Sequence, residues 1–177
     1  ADGGAPAGPE EPLSTGSVID SYPQASPDGR RVSYISDSLG PLEVWILDLE
    51  SRARQRLQLP GQDVAQVSPA WMPNGNELLV VRYLTGSEDS FWIAALDGSR
   101  AEKLFNGSTR GVSSLRSSKD GRSILLSDVV PGGGQVIGVF DIASRKLKFL
   151  TNSPGDKFDA EWSPDERWIA ATVVRDG

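Results

Sequence analysis

The chain has 177 residues with no Cys and no His, and 18 Lys plus Arg against 24 Asp plus Glu give it a net charge of −6. Without thiol or imidazole it can hold no disulfide, no zinc–thiolate site and no Ser-His-Asp triad, and the acidic balance argues against a nucleic-acid grip, which needs clustered basic residues. Apolar residues are 38% of the total, enough for a core, and no apolar run approaches the roughly 18 residues of a membrane-spanning helix.

Residues 1–12 carry Gly3, Gly4, Pro6, Gly8, Pro9 and Pro12 beside Glu10 and Glu11. Such a segment has little to bury and reads as a flexible tail or linker. Tyr22–Ser26 then leads into a tight turn at Pro27-Asp28-Gly29. There Pro presets φ, Asp bonds back to the backbone and Gly accepts positive φ. Arg31–Ser36 has the β-branched and aromatic character of a strand, Asp37–Pro41 is a loop, and Leu42–Leu49 is a third strand. Glu50-Ser51 turns the chain into a fourth, Arg54–Leu59. The same four segments return at Ala70–Met72, Glu77–Arg82, Ser90–Leu96 and Ala101–Phe105. They return again at Ser114–Ser117, Ser123–Ser127, Gln135–Phe140 and Lys146–Leu150, and a last pair at Ala160–Trp162 and Trp168–Val174.

The turn phrase therefore recurs, as Ser26-Pro27-Asp28-Gly29, Met72-Pro73-Asn74-Gly75, Ser118-Lys119-Asp120-Gly121 and Ser163-Pro164-Asp165-Glu166, at steps of 46, 46 and 45 residues. A period of about 40–45 residues with turn signals predicts an all-β propeller of four-stranded antiparallel blades. The blades fall at about 20–59, 66–105 and 112–151, with an incomplete one at 158–177. Leu13 precedes Asp28 by 15 residues, as Leu150 precedes Asp165, so Leu13-Ser14-Thr15-Gly16 reads as the end of an earlier blade's outer strand. Residues 13–177 are then about three and a half blades. Three readings stand: an arc of a propeller of roughly six to eight blades, an arc that a second copy completes, or one capped some other way. Open blade edges predict self-association.

Ser26-Pro-Asp-Gly-Arg-Arg-Val-Ser-Tyr-Ile-Ser-Asp37, followed by Val44-Trp-Ile-Leu-Asp-Leu49, resembles the repeat of the TolB-type, WD-like bacterial β-propellers. Ala160-Glu-Trp-Ser-Pro-Asp165 and Ala94-Ala-Leu-Asp-Gly-Ser99 are similar to other phrases of that family. The resemblance implies a propeller used as a binding platform for a protein or peptide, often in the periplasm or attached to another domain. Similar propellers cap prolyl-oligopeptidase-like peptidases, and others are sensor halves of bacterial regulators and kinases. The repeats depart from the phrase at Met72, at Lys119 and at Glu166, which replace its Ser, Pro and Gly.

The candidate chemistry is sparse, and no motif calls for a cofactor or metal. Asp28, Asn74, Asp120 and Asp165, with Gly29, Gly75 and Gly121, read as structural turns. Trp71 and Trp162 occupy equivalent positions and read as packing between blades. Arg52, Arg54 and Arg56 share one strand face and read as a charged outer edge. Gly132-Gly133-Gly134 lacks the strand–loop–helix setting of a phosphate loop, and Asn106-Gly107-Ser108 fits a glycosylation acceptor only as a short match. In a four-stranded meander the loops between second and third strands emerge at the same end as the blade connectors. That end collects Asp20, Asp37, Asp63, Glu88, Asp89, Asp128, Asp156 and Lys157. It is the expected binding face, for a cation or a basic partner, with solvated loops as the plainer account. The sequence thus points to a non-catalytic binding or scaffold module of a bacterial cell-envelope protein, with a peptidase's substrate-gating propeller or a sensor domain as rivals.

Overall fold

The computed structural model describes residues 9–13, 19–60, 66–82, 89–107, 114–130, 134–152 and 155–174. These form fourteen strands and no helix. Strands β1 (Asp20–Ala25), β2 (Arg31–Ser36), β3 (Glu43–Asp48) and β4 (Arg54–Arg56) make the first antiparallel sheet, hydrogen-bonded in chain order. The second holds β5 (Gln66–Trp71), β6 (Glu77–Arg82), β7 (Asp89–Ala95) and β8 (Ala101–Gly107). The third holds β9 (Leu115–Ser117), β10 (Ser123–Val129), β11 (Gln135–Asp141) and β12 (Lys146–Phe149). The fourth pairs β13 (Asp156–Trp162) with β14 (Ile169–Val174). The order is that of propeller blades, each a meander from inner to outer strand.

The sheets stack face to face, and this explains why the second strands of the middle blades carry continuous apolar runs, Leu78–Val81 and Ile124–Leu126. Successive side chains of β6 point to opposite faces. Leu78 and Val80 enter a cluster with Val44, Ile46 and Leu57 of the first blade. Leu79 and Val81 enter another with Ile124, Leu126 and Leu115 of the third. All four β6 residues are at most 1% exposed. Phe105 stacks on Phe91 at 4.2 Å and on Phe140 of the third blade at 4.4 Å between centroids. The third interface is smaller and gathers Leu125 and Ile137 with Ala160, Trp162 and Ile169.

Trp71 and Trp162 both lie between blades. Trp71 is 8% exposed, and its indole nitrogen donates to the Gln24 carbonyl of the first blade at 2.9 Å. The Ser117 hydroxyl in turn donates to the Trp71 carbonyl at 2.8 Å, so three inner strands are tied in series. The inner strands carry a feature that propensity does not announce. The registers of β1, β5 and β13 shift between Ser21 and Gln24, Val67 and Ala70, and Phe158 and Glu161. Tyr22 and Asp159, inside two of these bulges, have φ of 53° and 52°. A bulge sharpens the local twist, which suits strands that crowd toward an axis.

The two ends of the arc are less covered than its middle. Large exposed apolar residues gather there: Leu13, Ile19 and Tyr22 at one end, Phe149, Leu150, Trp168, Val173 and Val174 at the other. Leu13 belongs to no strand, and residues 14–16 lie outside the described part. Its carbonyl accepts from Arg54 at 2.9 Å, as the Leu104 carbonyl of the second blade accepts from Arg145 of the third at 3.1 Å.

Truncating Trp71 to Ala removes an inter-blade anchor and its hydrogen bond. It is expected to cost about 3–5 kcal/mol in urea denaturation. Arg122→Ala, at a side chain 82% exposed, is expected to stay within about 0.5 kcal/mol. The reverse ranking would contradict the packing described.

Candidate functional site

The two ends of the blades differ in kind. At one end four tight turns recur, and three of them share a single side-chain hydrogen-bond pattern. The Ser26, Ser118 and Ser163 hydroxyls donate to Asp28, Asp120 and Asp165 at 2.6, 2.7 and 2.7 Å. The same carboxylates accept the backbone N–H two residues on, at 3.0, 3.0 and 3.2 Å. Each Ser oxygen accepts the N–H of the following strand, from Arg31, Ser123 or Trp168. In the second repeat Asn74 accepts from the Asn76 N–H at 2.9 Å, and its amide donates to Glu77 at 2.8 Å. Gly29, Gly75 and Gly121 hold φ of 69°, 69° and 70°, where only Gly is unstrained. Asp48, Asp97 and Asp141 cap the third-to-fourth-strand turns through Ser51, Ser99 and Ser144. A polar hollow of about 490 Å³ lies at this end between the first two blades. Its cations are already engaged: Arg31 with the Gly75 carbonyl and the Trp71 ring, Arg100 with Glu77 and Glu102.

At the opposite, loop end, the acids singled out in the sequence that are among the described residues do not gather. Asp37 accepts the Ile19 N–H at 2.9 Å. Asp156 accepts the Gln135 N–H at 2.7 Å across the third interface. Gly134 is tightly approached there, since a Cβ would overlap the Asp156 carboxylate. Asp128 is 7% exposed and accepts its neighbour Val129 N–H at 2.8 Å. Burial holds its carboxyl above the usual range. Lys157 is 3% exposed and donates to the Gly155 carbonyl at 2.6 Å. Asp20 borders a hollow of about 260 Å³ with Leu13, Val32, Tyr34 and Leu47, and its Oδ1 is buried without a hydrogen-bond partner. Asp63, Glu88 and the Asp89 side chain lie outside the described residues. Among the described residues no three Asp or Glu gather as a metal centre would require.

One loop-end residue was not singled out from the sequence. Arg82, the last residue of β6, is 9% exposed and lies over the Trp92 ring at 5.5 Å. The signal was present but weak: with the period of 46, Ser36, Arg82 and Asp128 fall at one blade position, each a polar residue at or next to the end of a second strand.

The sequence model of the TolB beta propeller domain matches residues 10–177. An uncharacterized peptidase of Bacillus subtilis (strain 168), YuxL, is 26% identical over 160 residues, 89% of this chain and 22% of that protein. TolB from Acinetobacter baumannii superposes with a TM-score of 0.79 at 19% identity, over 93% of this chain and 40% of that one. An acylaminoacyl peptidase of Pyrococcus horikoshii superposes at 0.61 with 17% identity, over 88% of this chain and 28% of that one. The chain spans about a fifth of YuxL and two fifths of that TolB, and at these identities the superpositions establish the fold.

The turn carboxylates contribute to the response to acid. The Ser hydroxyls, then the backbone N–H donors, hold Asp28, Asp120 and Asp165 below the ordinary 3.8. A lowered folded value means stability that is complete above the ordinary value and lost as pH falls through the folded ones. Urea midpoints are therefore expected to drop below about pH 4, and the triple variant D28N/D120N/D165N to flatten that drop. Asp128→Asn is expected to act with the opposite sign, raising the midpoint at neutral pH by removing a carboxylate that burial disfavours.

Proposed function

We propose that this chain, which belongs to the TolB beta propeller domain family, is a non-catalytic binding module of a bacterial cell-envelope protein and presents its loop end to a protein or peptide partner. The observation that carries this reading is the asymmetry between the two ends. At the turn end hydroxyls, carboxylates and N–H groups satisfy one another within each tight turn. At the loop end polar groups remain unmet, among them Asp20 Oδ1, beside the hollow on the uncovered face of the first blade, and Arg82 Nε, both buried and without hydrogen-bond partners. A buried donor or acceptor left unsatisfied is costly, and a partner's polar group that reaches it recovers that cost. The likeness to TolB supports a periplasmic or extracellular location, and a chain without His or Cys lacks the commonest general base and thiol nucleophile.

A second reading has its own support. The match to YuxL covers 89% of this chain, and a propeller of this kind suits the gate of a serine peptidase whose hydrolase domain is outside this sequence. A sensor domain of a regulator or kinase is a third.

Peptides selected from a random library on the chain are expected to lose binding on loop-end changes such as Asp37→Asn or Arg82→Met. They are expected to keep it on the turn-end change Arg122→Ala; the opposite pattern would overturn the choice of face. The chain alone is expected to show no turnover of ester or peptide substrates. Activity that follows the protein through purification and disappears on one Ser or Asp substitution would sink the binding-module reading.

A further inference from the structure

The strand ends of the second blade at the loop end form one rung that differs from the rungs below it. Arg82 of β6 lies opposite Gln66 of β5 and Ser90 of β7, and Ser90 lies opposite Asn106 of β8. By alternation Arg82 shares the strand face of Leu78 and Val80, which packs on Val44 and Ile46 of the first blade. It therefore points into the cleft between the first two blades. The next rung on this face is apolar, with Val80 opposite Trp92.

Burying a guanidinium without a counter-charge is costly, and buried Arg is normally paired with a carboxylate. Arg82 is not. Its Nε is shut off from solvent and makes no hydrogen bond, and none of the ion pairs among the described residues includes it. Its one contact of note is the Trp92 ring. Of the described acids at this end, Asp37 is directed to Ile19, Asp128 to Val129 and Asp156 to Gln135, and Asp20 borders the hollow with Val32 and Tyr34 on the other side of the first blade. Ser90, 3% exposed, accepts from the Trp92 indole N–H at 2.8 Å, which leaves its own hydroxyl hydrogen to donate. The blade-equivalent residues are Ser36 and Asp128, so among these three positions only the second blade carries the cation.

We infer that the rung of Arg82 and Ser90 between the first and second blades is a carboxylate-binding site, which takes an acidic side chain or a free C-terminus of a peptide. The Arg fork offers two parallel donors to a planar carboxylate, Ser90 adds a third, and the Trp92 ring orients the guanidinium. A single fork with one hydroxyl suits a planar monoanion better than a phosphate, which carries more charge and more acceptor oxygens. The inference rests on the loop end being the binding face and names the chemistry recognised there.

The test follows the Arg side-chain Nε–Hε signals of the full chain by NMR. The probes are acetyl-Gly-Glu-Gly-amide, acetyl-Gly-Gly-Gly with a free C-terminus, acetyl-Gly-Gln-Gly-amide and inorganic phosphate. At least one carboxylate peptide is expected to shift the Arg82 signal saturably, which also tells a side-chain from a terminal carboxylate, while the Gln peptide leaves it in place. Arg82→Met is expected to weaken binding at least about tenfold, the scale of a charged hydrogen bond, and Arg82→Lys and Ser90→Ala to weaken it less. A purely structural Arg82 would alter the unfolding midpoint and leave peptide affinity unmoved. If Arg82→Met fails to fold, the wild-type shift and the Lys variant decide. Shifts with phosphate alone, shifts with the Gln peptide alone, or none with either carboxylate peptide overturn the inference. Library peptides that bind the loop end without any carboxylate would refute this site while leaving the binding module standing.

Discussion

Face-to-face stacking of small sheets is the constraint on which the rest of this structure depends. No blade has an interior of its own. Leu78 and Val80 are buried only because the first blade lies on one side, and Leu79 and Val81 only because the third lies on the other. Stability in such an array is a sum of interface terms, each made with the next neighbour. The middle blades, with two interfaces, are almost wholly buried along β6 and β10, whereas Ala170 to Val174 of β14 are exposed.

Once the sheets are stacked, polar groups have two fates. At the turn end they close on themselves: a Ser hydroxyl, an Asp carboxylate and backbone N–H groups form a unit nearly identical in three repeats. Asn74 performs the backbone part of that role with an amide, so geometry matters there more than charge. At the loop end the same carboxylate chemistry is turned to single caps that pin blade connections, as Asp37 does for Ile19 and Asp156 for Gln135. What is left after these local satisfactions is small and specific, and Arg82 is its clearest member.

This division also explains why one fold serves both TolB and the propellers of peptidases among its structural neighbours. The stacked faces and self-satisfied turns demand only size, apolarity and a short phrase, and the fold is shared at identities of 17–19%. The loop end is free to change without disturbing them. Function in such a scaffold is then a matter of which polar residue stands at a cleft, as Ser36, Arg82 and Asp128 illustrate at one equivalent position.

The sequence by itself determined the parts whose chemistry is local. The Ser-Pro-Asp-Gly phrase, its steps of 46, 46 and 45 residues and the short strands between its copies were enough to read an all-β propeller of four-stranded blades. The reason is that a tight turn and a β-branched run need only their own residues. Tertiary structure alone decided where strands bulge, which side chains meet and which backbone groups they cap. It placed the bulges at Tyr22 and Asp159, tied the Trp71 indole to Gln24, and turned Asp37, Asp128 and Asp156 to backbone caps. It also buried Arg82 in a cleft that the first and second blades make together. No local pattern distinguishes an exposed Arg at a strand end from a buried one, because burial is a property of the neighbouring blade and not of the strand that carries the residue.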